Sequence, residues 1–248
     1  MAEPMSADQF AAALRAEGAA VTECDDWRGH HRNHKGAWGP VHGVMIHHTV
    51  TKGTDATVRL CRDGYEGLPG PLCHGVIAKD GTIHLVGYGR ANHAGLGDPD
   101  VLKAVLAEAA LPKKAEATVD GNRHFYGFEC ENLGDGTDPW PAAQLDTIEK
   151  TAAALCRHHG WGAGSVIGHS EWQPGKIDPK GFTMASMRKR IAARLADRVY
   201  EVRPGDSLSA IAQSELGDAQ RYSELAKLNG IADPARIEVG VRLRIPPK

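Results

Sequence analysis

Hydrophobic positions change their spacing several times along the chain, and each change predicts an element. MSADQFAAALRAEG reads as a first helix, capped by Ser6 or Asp8 and stopped at Gly18. HGVMIHHTV is a short apolar strand that ends in polar residues. CHGVIAKDGTIHLVG joins two apolar runs through Lys79-Asp80-Gly81, a hairpin with Asp-Gly as its turn. FYGFECENL alternates as a further strand. PAAQLDTIEKTAAALCRHHG is an amphipathic helix: Pro141 opens it, Leu145, Ile148, Ala152 and Leu155 share one face, and Gly160 ends it. SVIGHS gives another strand and FTMASMRKRIAARLADR a last helix. Strands alternate with helices, so the expected class is α/β, a central mixed sheet flanked by helices.

From Val199 the pattern tightens. A strand (Val199 to Val202) meets a Pro-Gly-Asp turn, and Asp206 or Ser207 caps a helix. A second helix follows around Tyr222 to Leu228, and VRLRIP is the closing strand. This βααβ unit is near the lower size limit for an independent core. A chain of 248 residues accommodates one large domain and such a module, divided as 1–198 (core about 40–195) and 199–248.

Composition narrows the function classes. Hydrophobic content of 42% and charge of 24% suit a soluble protein with a real core. A formal charge of -2 offers no electrostatic reason to expect nucleic acid or an anionic membrane as partner. No apolar run approaches a membrane span, and the N-terminus lacks the basic-then-apolar pattern of a secretory signal peptide, so synthesis in the cytoplasm is expected. The five cysteines are odd in number and form no C-x-x-C pair. They are expected to be mostly reduced and buried, with a Cys61–Cys73 bridge left open.

The thirteen histidines are the unusual feature. His47 and His48 end the VMI strand, and His169 follows VIG. Asp178 lies nine residues after His169, on a loop that Pro174, Gly175 and Pro179 would fold back. Zinc takes tetrahedral nitrogen, oxygen or sulfur ligands, and catalytic sites keep three protein ligands and one open position. His47, His169 and Asp178 are therefore candidates for a His-His-Asp site. His30, His31 and His34 sit in polar, glycine-flanked RGHHRNHKG and read as an exposed loop. His158 and His159 close a helix, where cations meet the dipole. Cys130 alternates away from Glu129 and Glu131, into the core. Core packing is the default for Trp27, Trp38, Trp140 and Trp172, with a glycan-stacking platform among them as the alternative.

VMIHHTV, CHGVIAKDGTIHLVG, ANHAG, GFECEN and GHSEWQPGKIDP occur in an order that resembles the zinc N-acetylmuramoyl-L-alanine amidases of type 2, a family that includes peptidoglycan recognition proteins and many phage endolysins. The likeness covers roughly residues 40 to 195. The tail resembles a LysM module in YEVRPGDSLSAIA, LAKLNGI and VGVRLRIP. The resemblance implies His47, His169 and Asp178 as zinc ligands, Glu129 as general base and later acid, and Lys176 as the group that stabilises the oxyanion. It implies His93, His48 and Trp172 along the substrate groove. The bond cut would be the amide between N-acetylmuramic acid and L-alanine, with LysM holding the glycan of bacterial peptidoglycan. The layout is that of a bacteriolytic phage endolysin or a wall-remodelling hydrolase. A non-catalytic peptidoglycan receptor, a zinc peptidase acting within the stem peptide and a pure wall-binding protein are the alternatives. One departure stands out: Cys73 precedes His74 where many relatives have tyrosine.

Overall fold

The computed structural model describes residues 2–196 and 198–245. Helix α1 (Ala7–Ala16) begins where Ser6 Oγ accepts the Gln9 N–H and the Gln9 side chain returns the bond to the Ser6 N–H. Its Phe10 is fully buried among Tyr88, Tyr126, Phe128 and Trp27, with ring centroids 5.2–6.4 Å apart, which fixes the helix to the sheet. Strand β1 (Val21–Glu23) follows, then β2 (Gly43–His48), α2 (Thr54–Asp63) and a small hairpin, β3 (Gly64–Tyr65) with β4 (Leu68–Pro69). The expected Asp-Gly hairpin is β5 (Gly75–Ile77) and β6 (Ile83–Leu85), in antiparallel register Val76↔His84. A second small pair, β7 (Leu96–Gly97) and β8 (Val119–Asp120), encloses α3 (Pro99–Leu106).

Strand β9 (Phe125–Cys130) leads to α4 (Ala142–His159), which ends on Gly160 in the left-handed conformation, as the sequence predicts. Strand β10 (Val166–Gly168) stops one residue before His169, which opens the single-turn helix α5 (His169–Trp172). Helix α6 (Met184–Ala196) closes the first unit. The last predicted helix ran through Asp197, which lies outside the described residues, to Arg198; instead Arg198 pairs with Ile245 in the C-terminal ladder.

The main sheet has the order β1-β6-β5-β9-β2-β10 and is mixed: β6 runs antiparallel to β5, and the other neighbours are parallel. Side-chain alternation then decides where the chemistry goes. Val44, Ile46, Tyr126, Phe128, Cys130 and Val166 pack on one face with residues of α1, α4 and α6. Met45, Phe125 and Ile167 face the other way, where α3 and Trp172 of α5 cover them, and Val76 packs with Cys61 of α2. By the same alternation His47 and Glu129, paired across β2 and β9, belong to this second face.

All five cysteines are free thiols. Cys61 and Cys73 share an apolar cluster with Val76 and Val86. The C-terminal unit is β11 (Arg198–Glu201), α7 (Leu208–Leu216), α8 (Tyr222–Leu228) and β12 (Arg242–Ile245) around Val202, Leu208, Ile211, Leu225 and Leu243. Ser207, rather than Asp206, caps α7 through the Ala210 N–H. Asp206 instead accepts from the Tyr200 hydroxyl and the Arg203 N–H. Pro246 of the predicted closing strand lies outside the described residues.

Candidate metal centre

Three ligand-type atoms converge at the carboxyl end of β2 and β10. His47 Nδ1 stands 3.1 Å from His169 Nδ1, and Asp178 Oδ2 stands 3.0 and 3.1 Å from the two rings. Parallel pairing of β2 with β10 (Ile46↔Gly168) brings the histidines together, and the 173–178 loop returns Asp178 to them. Among the described residues this is the one group of three or more His, Cys, Asp or Glu side chains with such geometry.

The donor set fits a divalent cation. His169 Nε2 lies 3.1 Å from Gln173 Oε1, an acceptor, so the hydrogen belongs on Nε2 and Nδ1 presents a lone pair. Two ring nitrogens and a carboxylate oxygen facing one another this closely repel unless a proton or cation lies among them. The ligands of a tetrahedral ion with bonds of ~2.0–2.1 Å stand about 3.3 Å apart, close to the spacing here. Burial pushes His47 down to about 4, so the ring is neutral and available as a ligand. Burial works against the Asp178 carboxylate, but the two imidazoles hold its pKa well below the ordinary carboxylate value.

Glu129 Oε1 lies 3.9 Å from His47 Nδ1, and Glu129 Oε2 has no hydrogen-bond partner among the described residues. Burial, then the nearby Asp178 charge, pushes Glu129 up to about 8, against the opposing pull of Lys176. Lys176 is exposed on the same loop as Asp178. Glu131, two residues after Glu129, is spoken for: its carboxylate accepts from the Gly53 N–H and the Thr54 hydroxyl, both at 2.8 Å, and so holds the start of α2.

These residues lie in a cleft of about 580 Å³ whose rim carries Val50, Tyr65 and Ile177, all more than half exposed. Val50 adopts φ 54°, a left-handed conformation that is costly for a β-branched residue, directly after the His47 strand. A shallower hollow of about 790 Å³ between Glu23, His30 and Arg62 gathers no comparable ligand set.

Several expected roles change. Trp172 is no groove residue: it is fully buried against Phe125, because an indole anchored under the sheet fills the space beside Gly97 and Gly121. His48 alternates to the face opposite His47, where its Nδ1 accepts the Lys180 N–H at 3.0 Å, yet it still lines the cleft as expected. His93 also lines the cleft but is 8% exposed, with both ring nitrogens engaged inside the protein. His31 and His34 are exposed as expected, whereas His30 is half-buried, its Nδ1 beside the Val86 carbonyl oxygen at 2.8 Å. His159 is not a helix-end cation: burial, then His158, pushes it down to about 4, and it stacks on Trp161. Cys73 is fully buried in its apolar cluster and does not line the cleft.

Sequence reading missed the residues that orient the ligands. Gln173 was signalled only by its four-residue offset from His169, and Gly127 by being a glycine inside a strand pattern. Asn122, whose Oδ1 accepts the His93 and Ala94 N–H groups at 2.8 Å, gave no signal at all.

Residues 37–181 match the family model described as N-acetylmuramoyl-L-alanine amidase (Amidase_2), and residues 200–246 match the LysM domain model. An uncharacterized protein of Deinococcus radiodurans is 40% identical over 74 residues, 28% of this chain and 29% of that protein. The chain spans less than a third of the curated relatives it matches. Among solved structures, the Staphylococcus aureus hydrolase AmiA in complex with its ligand is 13% identical over 79% of this chain and 93% of that one, at a TM-score of 0.49. The Clostridium intestinale endolysin N-acetylmuramoyl-L-alanine amidase LysCS is 15% identical over 69% and 94%, at a TM-score of 0.45. The amidase match spans more than half of the chain and includes every residue that converges on the cleft floor. On that ground this chain belongs to the N-acetylmuramoyl-L-alanine amidase family and carries a LysM domain behind the amidase unit.

Proposed function

We propose that the chain is a zinc-dependent peptidoglycan hydrolase that cleaves the amide between N-acetylmuramic acid and the L-alanine of the stem peptide. The observation that carries this is the meeting of His47 Nδ1, His169 Nδ1 and Asp178 Oδ2 within 3.1 Å on the cleft floor of an amidase-family chain. Bound there by these three residues, zinc would supply Lewis acidity and lower the pKa of water toward neutrality.

The protein's own groups handle the protons. Glu129 Oε1 takes a proton from the attacking water and delivers it to the departing amine nitrogen of L-alanine, a role typically contributing ~10²–10⁴-fold. Burial, and an Oε2 without a partner among the described residues, support this assignment, since such a carboxyl is poised to hold a proton near neutral pH. The Lys176 ammonium opposes the negative charge that develops on the carbonyl oxygen. Exposed apolar side chains at Val50, Tyr65 and Ile177 offer contact surface to the muramyl peptide.

The working division is an amidase unit over 1–198 and a LysM unit over 199–248 that holds the glycan, with Arg198 itself passing to the LysM ladder. Tethering raises the local substrate concentration on an insoluble polymer. The order of the units suits a bacteriolytic endolysin. The test is a digest of purified cell walls with and without a zinc chelator. New L-alanine N-termini that vanish with chelator, without new reducing sugars, are expected. Wall binding without bond cleavage in added zinc would overturn the enzyme in favour of a receptor, and other new N-termini would make it a stem-peptide peptidase.

A further inference from the structure

The buried ring of His93, at the wall of the cleft, touches His47. His93 Nε2 lies 3.1 Å from the Phe125 carbonyl oxygen, a group that only accepts. The hydrogen of the neutral His93 ring therefore sits on Nε2, which leaves its Nδ1 as an acceptor. His47 Nε2 lies 3.1 Å from that Nδ1 and must donate to it. A neutral imidazole carries one N–H, so His47 Nδ1 is left with its lone pair directed at His169 and Asp178, an arrangement that a cation among the three would relieve. The opposite arrangement fails at one link or the other. With the hydrogen on His47 Nδ1, either two lone pairs meet between the rings or His93 turns a lone pair on the Phe125 carbonyl.

We infer that His93 is a positioning residue whose relay from the Phe125 carbonyl selects the His47 tautomer that presents Nδ1 to the cation. The structure holds His93 for this purpose. Asn122 Oδ1 accepts the N–H groups of His93 and Ala94, both at 2.8 Å. Gly127, on the same sheet face as Glu129, leaves the space the ring fills: a Cβ there would stand 2.4–2.6 Å from the His93 ring. His169 reaches the same tautomer through a different partner, Gln173.

The inference rests on the metal-site reading, so its test includes a measurement that needs no metal. Long-range nitrogen–proton NMR of the metal-free protein at neutral pH reads the His47 tautomer directly, and protonation at Nε2 is expected. Zinc affinity is then measured by chelator competition in His93→Phe and His93→Gln, with melting temperatures alongside. Phe keeps the bulk without the acceptor and should weaken zinc binding by ~10–100-fold. Gln offers an oxygen to His47 and an amide N–H to Phe125, so it should restore most of the affinity. A wild-type His47 that carries its hydrogen on Nδ1 and none on Nε2 overturns the relay, as does wild-type affinity in a folded Phe variant or equal loss in both variants. Failure of the wild-type protein to bind zinc would overturn the metal reading alone, because the NMR result still decides the relay.

Discussion

Arg188 grips both oxygens of Glu171, Nη1 to Oε2 at 2.7 Å and Nη2 to Oε1 at 2.8 Å. Glu171 Oε2 also accepts the Gly168 N–H at 3.1 Å, and Arg188 Nη1 donates to the Val166 carbonyl at 3.1 Å. Helix α6 thereby fixes the strand-to-helix turn that carries His169. Bidentate pairing needs the planar guanidinium, so Arg188→Lys is expected to behave much like Arg188→Ala. Either should cost about 1–2 kcal/mol of stability. Either should also weaken zinc binding by roughly 10-fold, as loss of an outer-shell partner does. Urea unfolding and zinc titration check this; unchanged zinc affinity would detach the pair from the site.

Asp178 and Glu129 should separate metal binding from turnover. Asp178→Ala removes one of three converging ligand atoms, so zinc and wall hydrolysis should be lost together. Glu129→Gln keeps the shape of a side chain outside that ligand set, so zinc should stay while kcat falls by ~10²–10⁴-fold. Metal content by elemental analysis beside amide-cleavage rates distinguishes them. A Glu129→Gln enzyme at full rate would move the proton transfer to another group.

Trp172 should matter to the fold and not to wall contact. It is fully buried, and its ring lies edge-on to Phe125 at 5.1 Å. Trp172→Ala is expected to cost about 3–5 kcal/mol, measured by denaturant unfolding. Trp172→Phe, which retains an aromatic ring, should bind purified walls as the parent does. A folded Trp172→Phe protein with weakened wall binding would return the indole to the groove.

Stability should fall on mild acidification of the metal-free protein. Burial pushes His42, His74 and His159 down to about 4 from the ordinary 6.5, with charge from His124 adding at His42 and from His158 at His159. At His74 the geometry is explicit: Nε2–H donates to the Gly89 carbonyl at 2.8 Å, and Nδ1 accepts the Gly127 N–H at 2.9 Å, which leaves no place for a second proton. The unfolded chain takes up protons that these rings refuse, so this stability is fully present above about 6.5 and is lost as pH falls toward about 4. Thermal melts across that window should show the decline, and His42→Gln should flatten part of it. A flat profile would mean that the rings protonate within the fold.

Much of the scaffold was legible because it depends on local pattern. Gly160, in the left-handed region, ends α4, Asp80-Gly81 turns β5 into β6, and Ser6 starts α1. Helix α2 was not legible: its first turn depends on Glu131, seventy-seven residues from Thr54, and only the fold brings them together. Short strands such as β1 are likewise stabilised by their sheet neighbours rather than by propensity. The two histidine motifs and Asp178 announced a ligand set through residue type and order, since strand ends separated along the chain can meet in a sheet.

By itself, then, the sequence determined the elements whose signals lie within a few residues, the family and the candidate ligands. Tertiary structure decided what no local signal encodes. Sheet alternation sends His48 away from His47, the glycine pair beside Trp172 buries it, and Glu131 is drawn off to a helix end while Glu129 keeps an oxygen unpaired among the described residues. It also decided which nitrogen of His47 faces the cleft, because that depends on a carbonyl of another strand acting through a histidine from a distant loop.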